Sequence, residues 1–178
     1  MTAYARPPGA KHSDFAGARA FEEEVANAIQ KYTGHAFTRF SSADDLDILV
    51  PQVWVEVKQK RGPLTSRWHL LTGVAESDCF VIDERTLRVA AHKGGHVYFL
   101  IEDVPGRRLV VAAAYEFMCV ERKRVVRDGK AKLIVDLSAF RTIESLDDLY
   151  PFCIADAVSQ TWKISGPVTK ALVEEVKA

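Results

Sequence analysis

Cysteine is scarce in this chain of 178 residues, and the three present, Cys79, Cys119 and Cys153, are far apart. No Cys-x-x-Cys pair occurs, so neither a zinc knuckle nor a disulfide framework is indicated. Each cysteine sits among apolar neighbours and reads as a buried free thiol, which suits a reducing compartment. Uninterrupted apolar runs of membrane-spanning length are lacking. The first thirteen residues hold Arg6 and Lys11 but no apolar stretch, so they do not read as a signal peptide, and the expected location is the cytoplasm. Net charge is lacking too: 24 basic residues balance 24 acidic ones. A protein that coats DNA without selectivity would be strongly basic. Local basic patches beside an acidic pocket remain compatible with the balance. No Gly-x-x-x-x-Gly-Lys loop is present, so ATP-driven chemistry finds no support. The five histidines share no face, and no Ser-His-Asp arrangement can be argued.

What is present is one conspicuous stretch, Val53-Trp54-Val55-Glu56-Val57-Lys58-Gln59-Lys60. It alternates, as a strand does. Val53, Val55, Val57 and Gln59 share one face; Trp54, Glu56, Lys58 and Lys60 share the other. A carboxylate and an ammonium in the middle of an apolar strand need a partner or a ligand. The plain alternative is a solvated ion pair on a sheet edge.

Around this strand the chain divides readily. Residues 1–12 read as a flexible tail. Ser13 or Asp14 can cap a helix that runs to about Thr33, with Phe21, Val25, Ala28, Ile29 and Tyr32 on its apolar face. Glu22 borders that face, whereas Glu23 points away from it and Glu24 lies on a flank. Strands are expected over residues 36–40, 46–50 and 53–59, the last two joined by a tight connection and hence antiparallel neighbours. Residues 68–71 form a short helix or strand, and 79–82 a short buried strand. Asp83 can cap a helix over 84–93, ended by Gly94-Gly95. A strongly apolar strand follows over 97–101. Residues 109–120 are ambiguous between helix and strand. Asp128-Gly129 is the strongest hairpin signal, flanked by residues 124–127 and 131–135. A short helix is expected within 145–154, interrupted at Pro151, and an amphipathic helix over 168–177. This order predicts an α/β fold with a mixed central sheet flanked by helices.

Asp47 lies on the strand before the conspicuous one and can share a sheet face with Glu56. Two adjacent carboxylates repel unless one takes up a proton or a cation joins them. Hard oxygen ligands with open water positions suit Mg²⁺ or Mn²⁺. Lys58, one pleat along, can orient a water or offset charge on a phosphorane-like transition state. Glu22 can join through a water or a second metal. Asp44 and Asp45 compete with Asp47, but they lie in a polar loop.

At these residues the sequence resembles the PD-(D/E)XK nuclease superfamily. The pattern appears as Asp47, then Glu56-Val57-Lys58, with a first-helix glutamate inside Phe21-Glu22-Glu23-Glu24-Val25. The run from Ala20 to Val25, then Gly34, Arg39-Phe40-Ser41-Ser42 and Leu46-Asp47-Ile48, is similar to the order in archaeal-type Holliday-junction resolvases and related phage nucleases. Leu46 stands where the signature has proline. The resemblance covers residues 15–101. It implies a restriction-endonuclease-like αβββαβ core within a domain of residues 13–140, followed by a helical C-terminal extension, 141–178. It also implies metal ligation by Asp47, Glu56 and the Val57 carbonyl, catalysis by Lys58, and an auxiliary role for Glu22. Lys60, Arg61 and Arg67 extend from this site and are expected to meet phosphates. The expected activity is Mg²⁺-dependent hydrolysis of DNA. RNA, and junction, duplex or single-stranded forms, stay open. Resolution of a junction would require a homodimer with two sites. The alternative is a non-catalytic nucleic-acid-binding or regulatory protein on the same fold.

Overall fold

The computed structural model describes residues 10–33, 38–39, 48–50, 53–62, 68–93, 96–127 and 129–165. Its centre is a six-stranded mixed sheet in the order β1-β2-β3-β5-β6-β9. The strands are β1 (Thr38–Arg39), β2 (Ile48–Val50), β3 (Val53–Lys60), β5 (His96–Asp103), β6 (Arg108–Ala113) and β9 (Arg141–Ile143). β3 pairs antiparallel with β2 and parallel with β5, so it lies inside the sheet and not on its edge. Its alternation places the valine face against α1 (Ala10–Thr33) and α4 (Leu149–Ser165). There Val53, Val55 and Val57 pack with Phe21, Val25, Ile29, Leu149 and Cys153.

The other face is covered differently. A second sheet, β4 (Cys79–Asp83), β7 (Arg122–Arg127) and β8 (Lys130–Asp136), has the order β4-β8-β7. Its Phe80, Ile82, Leu133 and Val135 share a core with Phe99 and Ile101 of β5, with Leu87 and Ala90 of α2 (Glu84–Lys93), and with Phe117 of α3 (Ala114–Cys119). Trp54 packs against this second core. The β3-to-β5 crossover therefore carries a strand of the other sheet before its helix.

Several expectations are borne out by these elements. The mixed sheet flanked by helices is present, and the main-sheet order is helix, three strands, helix, strand. α2 has the expected bounds. The expected hairpin forms, with Arg127 paired to Lys130 and Gly129 in the left-handed region at φ 74°. Such a φ suits glycine because no Cβ meets the backbone.

Others are corrected. α1 starts at Ala10, so Ser13 and Asp14 lie within the helix and not at its start. Residues 109–120 contain both of the weighed alternatives: β6 runs to Ala113 and α3 starts at the next residue. Pro151 does not interrupt its helix. It is the third residue of α4, within the first turn, where a missing N–H costs nothing. Cys119 is exposed, unlike Cys79 and Cys153. Residues 68–71 take the helical of their two expected forms, as a short 3-10 helix. β9 and α4 join the main sheet and its first core. The helix expected over 168–177 lies outside the described residues.

Candidate active site

Strand alternation sets the site. On the face of β3 opposite α1, Glu56 is 4% exposed, while the side chain of Lys58, two residues on, is about one-third exposed. The Lys58 ammonium forms an ion pair with Glu56 Oε1. It also donates to the Val57 carbonyl oxygen at 3.3 Å. A buried carboxylate oxygen and a main-chain carbonyl thus turn toward one cationic group. An ion pair on a solvated edge would look otherwise: β3 is internal, and the carboxylate is out of water. Burial of that charge is costly unless a cation stays with it.

The same face holds Trp54 toward the start of the strand. Lys93, the last residue of α2, sets its Nζ 4.2 Å from the Trp54 ring centroid. The attraction is that of a cation for the negative face of an indole. Lys93 was not singled out in the sequence, because nothing local ties residue 93 to residue 54.

Lys60 is corrected. It is 4% exposed, and its ammonium lies 3.4 Å from Asp103 Oδ1 and donates to the Ser77 carbonyl oxygen. The parallel register sets Lys60 directly beside Asp103. Asp103, fully buried, also accepts from Arg108 Nε at 2.8 Å, and Arg108 Nη2 reaches Asp78 Oδ1 at 2.5 Å. The guanidinium of Arg108 is the main cause that holds the Asp78 carboxyl below the usual carboxylate range. Burial opposes a charged Arg108, but Asp78 and Asp103 outweigh it and raise its pKa. Lys60 is therefore bonded into the interior and is not presented to a phosphate.

Arg61, by contrast, is exposed at the end of β3 and bonds Gln59 Oε1. Its guanidinium lies against Gly17 of α1, where a Cβ would collide with it. Glu22 is half-buried on α1, beside the stripe of Phe21, Val25 and Ile29. Asp47 and Arg67 lie outside the described residues, as do Asp44 and Asp45. Asp47 directly precedes Ile48, and Ile48 pairs with Val55, the residue before Glu56. Among the described residues no group of three or more His, Cys, Asp or Glu side chains gathers around a metal position.

No protein-family model and no curated protein matches the chain. Among solved structures, that of a nuclease from a fusselovirus is similar, with 12% identity and a TM-score of 0.47. The match covers 86% of this chain and 95% of that one.

Proposed function

We propose that the chain is a metal-dependent phosphodiesterase of the PD-(D/E)XK type that hydrolyses DNA, with Mg²⁺ as its cation and Mn²⁺ as a substitute. The observation that carries this reading is the meeting of Glu56 Oε1 and the Val57 carbonyl oxygen at one cationic group, the Lys58 ammonium, on an internal strand. Both are hard oxygens, the donor type that Mg²⁺ takes. Asp47, next in the chain to a residue paired beside Glu56, is proposed as the further carboxylate ligand.

When bound, the metal supplies Lewis acidity and lowers the pKa of a coordinated water. The chain's own residues do the rest. Glu56, held out of bulk water, keeps its negative charge directed at the site. The Lys58 side chain is about one-third exposed, so its ammonium can hold a water or balance charge that develops on a phosphate oxygen. Glu22 is proposed as the auxiliary acid. Arg61 and Arg67 are proposed to hold the phosphate backbone beyond the end of β3.

The test is incubation with labelled duplex, single-stranded and four-way DNA in Mg²⁺, Mn²⁺ or EDTA, with Glu56→Gln and Lys58→Ala alongside. Cleavage should require the metal and fall by on the order of 10²-fold or more in each variant. Cleavage that survives both substitutions would remove Glu56 and Lys58 from the site. Binding with no metal-dependent cleavage would leave a nucleic-acid-binding protein in place of an enzyme.

A further inference from the structure

The zero net charge hides a strong polarity. Residues 84–93 and 122–136 together hold nine of the chain's 24 basic residues and three of its 24 acidic ones, leaving 15 basic against 21 acidic elsewhere. These two segments are α2 and the β7–β8 hairpin, and they are neighbours. Arg88 Nη2 of α2 lies 2.6 Å from Glu84 Oε1, and Arg124 Nε of β7 lies 2.7 Å from Glu84 Oε2. Two exposed guanidinium groups thus share one carboxylate. Arg122 spends its hydrogen bonds on the carbonyl oxygens of Phe117 and Met118, at 2.8 and 2.5 Å, which carry no formal charge. Lys123 and Lys130 are exposed and form no ion pair with the described residues. Of the hairpin's lysines, Lys132 is the one offset, by Asp83. A surface with this excess of fixed cations attracts a polyanion.

Its position gives it direction. The second sheet and α2 cover the face of the main sheet from which Trp54, Glu56 and Lys58 project. α2 begins at Glu84, beside the hairpin, and ends at Lys93, over Trp54. Ten helical residues span about 15 Å, roughly four base steps of a nucleic-acid strand. Arg85, Arg88 and His92 line the exposed side at helical spacing, opposite buried Leu87 and Ala90.

We propose that α2 and the β7–β8 hairpin form a docking track for the phosphate backbone of DNA, leading along α2 to the Glu56–Lys58 site. The choice of DNA rests on the reading above; the docking itself needs no catalysis and is tested without it. The probe is a fluorescent 20-base-pair duplex in EDTA, titrated from 50 to 200 mM salt by anisotropy. Arg88→Gln/Lys123→Gln/Lys130→Gln should weaken binding about 10- to 100-fold at the low-salt end. The slope of log K against log salt should shrink by about 2 to 3. A charge-matched control, Arg19→Gln/Lys31→Gln/Arg141→Gln, takes exposed cations from α1 and β9 and should change neither quantity much. Equal melting temperatures would certify that the variants fold.

The track is overturned if the wild type does not bind the duplex, or if both triple variants bind alike. It is overturned too if polyglutamate of matching charge binds as tightly as DNA, which would mark an acidic protein as the partner. The two readings separate cleanly. Loss of binding in the first variant, with no metal-dependent cleavage by the wild type, keeps the track and removes the nuclease. Cleavage by the wild type, with both variants binding alike, does the reverse.

Discussion

Lys58 and Lys60 have the same chemistry, the same strand and the same face, yet they end in opposite circumstances. The neighbour on β5 decides it. Lys58 lies beside Ile101, which offers nothing to an ammonium, so the side chain turns back to Glu56 and the Val57 carbonyl. Lys60 lies beside Asp103, a carboxylate with no water around it, and is drawn inward. Removal of Lys60 takes one of two cations from the buried Asp103, which keeps Arg108. Lys60→Ala should therefore cost about 1–3 kcal/mol in urea unfolding, less than a fully stranded buried charge. Because both groups are buried, the loss should be nearly the same in 0.1 and 1 M NaCl. A cost below about 1 kcal/mol, or one that vanishes with salt, would show the pair to be a surface feature.

At the scale of elements, legibility followed the range of the interactions. β3 was plain because alternation is local, and α2 because its acidic start and glycine stop lie within ten residues of each other. The hairpin was plain because its turn chemistry is two residues long. The start of α1 was misplaced because Ser13 and Asp14 are good caps, and helix propensity outran them to Ala10. The inward turn of Lys60 could not be read, because Asp103 is 43 residues away and joins it only through parallel pairing. For the candidate site, Glu56 and Lys58 stood out by strand alternation and Val57 only through the family resemblance; the Lys58 ammonium meets the Glu56 carboxylate and the Val57 carbonyl. Lys93 over Trp54 was hidden for the same reason, the two being 39 residues apart.

One tie between elements carries a pH signature. Asp78, just before β4, holds Arg108, the first residue of β6, and so joins the two sheets. The folded Asp78 carboxyl titrates below its ordinary value of 3.8, chiefly through its bond to Arg108. A depressed folded value means that the pair stabilises the fold above the unfolded value and loses this as pH falls through the folded one. The site is partly exposed, so the gain is small, about 0–1 kcal/mol. Asp78→Asn should be less stable than wild type at pH 7, with the gap closing below pH 3.8. A gap that widens on acidification would contradict the assignment.

For the molecule as a whole, the question is whether two sheets make one cooperative unit. Their shared core answers it. Phe117 is fully buried on α3, and its ring centroid lies 4.7 Å from that of Phe99 on β5 and 4.5 Å from that of Phe140, which follows β8. Leu133 and Val135 of the small sheet pack in the same cluster as Ile101 and Val110 of the large one. The small sheet has one face in this cluster and could not bury it alone, so its stability comes from the large sheet. Deletion of the Phe117 ring leaves a cavity bordered by both. Phe117→Ala should cost about 3–5 kcal/mol, the range for a buried aromatic. The loss should also reach both sheets equally: amide exchange at Val135 of β8 and at Phe99 of β5 should speed up by the same factor. If β8 alone exchanged faster while β5 kept its protection, the sheets would be separate units. The basic hairpin would then be an independently mobile arm, not a fixed wall beside the β3 site.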